Sequence, residues 1–316
     1  MCRSIRFSIF AIVVSSSLIS AQPVVREVAI TFDDLPIAGV LPRDIASSRE
    51  LTTRLLRAIA GHRVPAIGFV NEDKLNDAGG AVDPQRVELL RRWLDAGLEL
   101  GNHGYSHLDL HTTPLDVFEA DVLEGERVTR PLMKERGLTL RYFRHPFLHT
   151  ARDLEKRAAF ERFLADHGYR VAPVTIDNDE YVFAGAYDRS RARGDADGAD
   201  RVATAYVPYM ERKVEFFERN SQELFGRQIR QVLLIHANML NADRFDDLAS
   251  MFERHGYTFI TLDRALEDEA YQSRDTWVGV GGITWLHRWA LTRGMPKAFY
   301  ADEPEVPSFV AEKARP

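Results

Sequence analysis

Val25-Arg26-Glu27-Val28-Ala29-Ile30-Thr31-Phe32 runs directly into Asp33-Asp34. Its first eight residues read as a β-strand whose near-continuous apolar character suits a parallel sheet covered on both faces. Two neighbouring carboxylates at the end of such a strand are costly in a partly buried pocket, because like charges raise each other's pKa. A bound cation or a proton-transfer role relieves that cost. A helix N-cap at Asp33 or Asp34 is the competing use of the pair.

Matching ligands stand in Gly101-Asn102-His103-Gly104-Tyr105-Ser106-His107, just after a short apolar segment, 98–100. Histidines four residues apart present their imidazoles to one point, on a helical turn or on a compact loop. With a carboxylate they make a two-histidine, one-carboxylate site that leaves positions open for water and substrate. His111 continues the spacing of four and is the second candidate ligand. Three more apolar runs end in chemistry. Arg141-Tyr142-Phe143-Arg144-His145-Pro146-Phe147 sets a base before a proline, Val174 to Tyr181 ends in Asp177-Asn178-Asp179-Glu180, and Val232 to Ile235 ends in His236. Strand ends are where α/β folds place their reactive groups.

Taken in order, TFDD, HGYSH, RHPF, DNDEY and LIH resemble the five motifs of the polysaccharide deacetylase superfamily, carbohydrate esterase family four with its NodB-homology domain, over residues 26–266. Leu35 stands where that family usually has glycine, Gly104 replaces a serine or threonine, and Glu180-Tyr181 replaces an aspartate-tryptophan pair. The resemblance implies an α/β fold, a distorted barrel of about seven parallel strands, and removal of acetyl groups from N-acetylated sugars of a glycan such as peptidoglycan or a chitin-like chain. It also implies a divalent metal on Asp34, His103 and His107, with zinc first and cobalt, nickel or manganese as alternatives. Asp33 takes the role of general base and Arg144 pairs with it to hold it ionised; His236 protonates the leaving amine, and Glu180 supports His236, with Asp179 as the rival carboxylate. A backbone N–H near Tyr105 or Phe147 meets the oxyanion, and His145 and His149 read as pocket-edge or surface residues. An O-deacetylase or a cyclic-amide hydrolase keeps the same site with another substrate. A glycan-binding protein that no longer catalyses would need neither Asp33 nor His236.

The 316 residues, 45% hydrophobic and 28% charged, are ordinary for a globular chain. A net charge of −6 without a basic, aromatic-studded stripe argues weakly against nucleic acid as partner; a carbohydrate substrate is what the resemblance implies. Residues 1–21 read as an export signal: Arg3 and Arg6 precede an apolar run, and Ala21 suits cleavage. The single cysteine, Cys2, falls inside it, so the mature chain is expected to have no disulfide; the apolar run is short for a membrane span, with an uncleaved anchor as the alternative, and export to a bacterial periplasm or exterior is expected. Residues 22–266 make the catalytic barrel and 267–316 an aromatic-rich extension packed on it.

Periodicity predicts helices over 44–63, 84–96, 152–167, 202–225 and 242–255, and one from Thr113 to about Gly137 that Pro131 kinks or splits. Strands are predicted at 66–70, 138–143, 169–176, 231–235 and 257–262, with a loop of some helical character over 187–200. Trp289 reads as a docking residue for the extension, and Trp285 as either a docking residue or a sugar platform.

Overall fold

The structure, a computed structural model, describes residues 25–315 apart from 40, 42 and 43. The segment read as an export signal lies outside them. Seven strands, β1 (Arg26–Leu35), β2 (Ile67–Val70), β3 (Glu99–Asn102), β4 (Tyr142–Phe143), β5 (Arg170–Val171), β6 (Gln231–His236) and β7 (Tyr257–Phe259), pair in parallel in the order β5-β4-β3-β2-β1-β6, with β7 also on β1. Helices fill the connections, as parallel pairing requires. Among the described residues, no helix is long and apolar enough to cross a membrane.

The predicted strand 169–176 is interrupted. Pro173 has no N–H to give the ladder, so pairing with β4 ends at Val171 and the chain crosses to the far edge of the sheet. There Thr175 and Ile176 donate to the Val232 carbonyl, and Ile176 bridges Leu233 of β6. This contact closes the sheet into a distorted barrel with a weak seam. β7 likewise stops at Phe259, because Thr261 caps a short helix, Leu262–Leu266.

The long third helix is split, but not at its proline. Helices Leu115–Glu124 and Thr129–Lys134 part at Gly125, whose backbone lies against Gly104 and Tyr105, while Glu72 accepts the N–H groups of Val128 and Thr129. Pro131 is then third in a new helix, where no intrahelical N–H bond is lost. Residues 187–200, read from their Arg/Asp/Gly content as a loop with some helical character, are mostly helical. Glu180–Ala192 ends with Arg189 and Arg191, well placed for the helix dipole, and Asp195 caps Ala196–Phe225.

Residues after 266 cross the same barrel. Helix Trp285–Thr292 buries Trp285, Leu286 and Trp289, and the Trp285 N–H donates to the Val174 carbonyl. Burial of both tryptophans excludes a sugar platform at Trp285.

Leu35 has a matching concession on the next strand. It is fully buried, and a Cβ on Gly68 of β2 would fall 2.0 Å from its Cδ1. Gly68→Ala therefore costs about 1–3 kcal/mol through overpacking, although glycine to alanine within a strand is ordinarily stabilising. Leu35→Ala costs roughly 2–5 kcal/mol alone, and the double variant is more stable than the sum of the two predicts. Denaturant unfolding of the four proteins measures this coupling, and strict additivity would rule out the proposed packing.

Candidate active site

Successive side chains of a strand point to opposite faces, so Asp33 and Asp34 could not both reach one cleft from a regular β1. The register with β2 resolves this. Phe32 pairs with Gly68 and Leu35 with Val70, three steps against two, so β1 carries an irregularity at the aspartates. Asp34 adopts a left-handed φ of 69°, and both carboxylates line the same cleft, of about 500 Å³.

Asp33 is 3% exposed. Arg144, from the end of β4, places Nη1 3.3 Å from Asp33 Oδ2 and donates from Nη2 to Thr31 Oγ1 at 2.9 Å. Burial raises the Asp33 pKa to about 6; Arg144 opposes the rise without cancelling it. Arg144 thus pairs with Asp33 and lowers its pKa, in the expected direction, while desolvation is the larger influence. Asp33 Oδ1 is buried and has no hydrogen-bond partner.

Asp34 Oδ1 lies 3.7 Å from His103 Nε2 and 3.6 Å from His107 Nε2. One ligand atom from each of the three residues falls within 4.8 Å of the others. His103 Nδ1 is 2.8 Å from the Arg144 carbonyl. A carbonyl only accepts, so Nδ1 carries the hydrogen and Nε2 presents its lone pair towards Asp34. Burial holds both histidines below the usual imidazole range, which keeps them neutral as ligands must be. For Asp34, burial pushes upward, yet Lys74 and the surrounding histidines bring its pKa well below the usual range. Asp34 Oδ1 is buried with no hydrogen-bond partner. Two neutral imidazoles and an ionised, unsatisfied carboxylate oxygen fit a divalent cation.

The histidine motif is a compact loop rather than a helical turn. Gly104 (φ 77°) and His107 (φ 54°) are both left-handed, and a Cβ on Gly104 would fall 2.6 Å from Asp121 Oδ2. That carboxylate shapes the loop by accepting the N–H groups of Tyr105 and Ser106. With its N–H spent on Asp121, Tyr105 is excluded as the backbone donor for an oxyanion; the loop at Phe147, which lines the cleft, is left. Asp121 belongs to no motif spacing, and nothing in the sequence singled it out.

His111, the alternative ligand, sits apart with Asp109 and His149. Its ring stacks on that of His149 at 3.8 Å and 6°. Parallel rings cannot aim in-plane lone pairs at one ion, whereas the His103 and His107 rings meet at 74°. His149 is partly exposed, but His145 is buried against Phe143 and Phe160, so the pocket-edge reading of His145 is corrected.

His236 closes β6 and is in register with Asp33 on β1. Its Nδ1 lies 2.7 Å from Glu180 Oε2. Glu180 is 1% exposed, and its Oε1 accepts from Asn238 and Asn241, two further residues that the sequence did not reveal. Burial pushes the His236 pKa down, but the Glu180 bond and charge, helped by the aspartate pair, raise it to about 9. Asp179, the rival carboxylate, turns elsewhere, to Tyr209 at 3.4 Å and Lys213 at 3.6 Å. Exposed rings of Phe147 and Tyr181 stand at the cleft's rim.

Known proteins resemble this chain in sequence and in fold. Residues 21–171 match the polysaccharide deacetylase family. A chitooligosaccharide deacetylase of Sinorhizobium fredii is 32% identical over 120 residues, 38% of this chain and 46% of the relative, so the match spans about half of that protein. The barrel superposes on a mutant CE4 family pseudoenzyme with restored enzymatic activity, from Bacillus anthracis, at a TM-score of 0.51 and 16% identity, over 78% of this chain and 69% of the other. The Bc1960 peptidoglycan N-acetylglucosamine deacetylase gives 0.50 and 18%, over 76% and 87%. At such identities the likeness is one of fold. The match over residues 21–171 and the shared fold agree in relating this chain to the polysaccharide deacetylase superfamily.

Proposed function

We propose that this protein is an exported, metal-dependent hydrolase that removes acetyl groups from N-acetylated sugars of a polysaccharide or oligosaccharide. The observation that carries the reading is the meeting, in one cleft, of a buried carboxylate raised to about 6, a histidine raised to about 9 and a three-ligand cation site. A binding protein has no use for an acid and a base held in opposite protonation states.

Asp34, His103 and His107 would hold the ion, zinc by preference for this donor set. When bound, such an ion lowers the pKa of water from 15.7 towards about 7 and polarises a carbonyl. Asp33 is ionised above about pH 6, and its free Oδ1 takes a proton from the attacking water while Arg144 holds Oδ2. His236 stays protonated up to about pH 9. With Nδ1 turned to Glu180, it delivers its proton from Nε2 to the departing nitrogen. Phe147 and Tyr181 offer ring faces on which a sugar stacks.

Acetate release from chitooligosaccharides with added zinc or cobalt, before and after chelation, tests the reading. Turnover should appear with metal and vanish on chelation; release from esters alone, or binding without turnover, would overturn it. His107→Ala should lose metal and turnover together, and metal bound at one per chain in that variant would remove His107 from the ligand set. Asp33→Asn should keep the metal while turnover falls roughly 100-fold or more; loss of metal as well would make Asp33 a ligand.

The alkaline limb of kcat/KM should report His236. Its pKa is raised, so the acid form persists to about pH 9 and is lost above it. Glu180→Gln removes the charge that opposes burial, and the limb should fall by about a unit or more, towards the unperturbed value near 6.5. An unmoved limb would assign it to a group other than His236.

A further inference from the structure

Asp34 uses its two carboxylate oxygens differently. Oδ1 faces His103 and His107, whereas Oδ2 lies 3.3 Å from Lys74 Nζ, which also donates to the Asp34 main-chain carbonyl at 3.2 Å. A single ammonium thus grips side chain and backbone of one residue, at the place where β1 is left-handed.

The segment that delivers Lys74 is tied to both ligand-bearing strands. After β2, Asn71 donates its N–H to the Leu35 carbonyl and its Nδ2 to the His103 carbonyl at 2.7 Å. The 3₁₀ turn Glu72–Leu75 follows: Asp73 N–H reaches the Tyr105 carbonyl, and Glu72 is buried on Val128 and Thr129. Lys74 is therefore held between the aspartate pair and the histidine loop by bonds on each side. Its side chain is 31% exposed, so desolvation does not account for where it sits.

A cation beside a divalent ion is repulsive, so a lysine in this position has to supply something in return. We infer that Lys74 is a positioning residue of the cation site: it occupies Asp34 Oδ2 and restricts Asp34 to one-oxygen coordination through Oδ1. The inference rests on the metal-dependent reading above. A carboxylate free to rotate can offer both oxygens to an ion and fill a position that water or substrate needs. Outer partners that orient a ligand are worth about 10–100-fold in metal affinity.

The test uses cobalt and the full chain. Cobalt(II) titration of the parent, Lys74→Met, Lys74→Arg and His107→Ala proteins would follow the dissociation constant and the visible bands, which weaken as coordination number rises; circular dichroism checks the fold. Lys74→Met should bind cobalt about tenfold or more weakly, with weaker visible bands, while Lys74→Arg, which keeps a donor on Oδ2, retains the parental spectrum. Parental affinity and spectrum in Lys74→Met, or tighter binding through relief of repulsion, would overturn the inference. His107→Ala separates the two levels: if it binds cobalt like the parent, the cation site itself is wrong, whereas its loss beside an unchanged Lys74→Met leaves the site standing and removes only the role of Lys74.

Discussion

The irregularity in β1 at Asp33 and Asp34 is the constraint on which the site depends. Without it the strand's two-residue period would send one carboxylate to the cleft and the other to the barrel's opposite face. With it, the base candidate stays in register with His236 on β6, while Asp34 swings into left-handed backbone and meets the two histidines. Leu35 resumes the pairing with β2 one step later, in space left by Gly68. A large residue after the aspartate pair is therefore compatible with the same geometry, because the neighbouring strand supplies the small one.

Arg144 links the two halves of that geometry. Its guanidinium holds Thr31 and Asp33, and its own carbonyl accepts from His103 Nδ1. One residue thus orients Asp33 and sets the tautomer of His103. It is fully buried, lies over the face of Phe69 at 4.7 Å, and shares its charge with a carboxylate that burial would otherwise neutralise. Removing it would leave a buried, uncompensated carboxylate, the circumstance in which breaking an ion pair is most costly. Glu180 does comparable work on the other side. Three polar groups satisfy it, and its influence on His236 outweighs the desolvation that would make the imidazole neutral.

Much of this was legible in the sequence, for definite reasons. Strand-end chemistry shows up as an apolar run stopping at a charged or imidazole side chain, so Asp33, Asp34, His103, Arg144 and His236 stand out from the residue pattern alone. Glu180 was distinguishable from Asp179 only by backbone direction, since Asp179 takes a left-handed φ of 53° and turns its carboxylate to Lys213. Asp121, Asn238 and Asn241 left no trace, because each acts through the backbone or through another side chain and carries no spacing of its own. Short strands were overextended for a related reason. Apolar content marks burial, whereas the ladder also needs N–H groups, and Pro173 withholds one. The Arg/Asp/Gly-rich stretch after Tyr187 misled in the opposite sense, since arginine and alanine are good helix formers once a cap such as Asp195 is available.

The cleft is also not the work of the barrel strands alone. Asp275 receives both Arg157 and Arg288 at 2.7 Å, and Arg288, fully buried, reaches on to Thr150 beyond the RHPF motif. Gly282 lies so close to the Phe147 loop that an added Cβ would come within 1.7 Å of the Phe147 carbonyl oxygen. The segment after residue 266 thus sets the position of the loop bearing Phe147 and Leu148, both at left-handed φ, and contributes Gly282 to the lining. Strain of that kind persists only where packing overdetermines it, and here the packing comes from the distant end of the chain. The aspartates and histidines are held by strand geometry, whereas the wall that faces them is held by a buried carboxylate and two arginines.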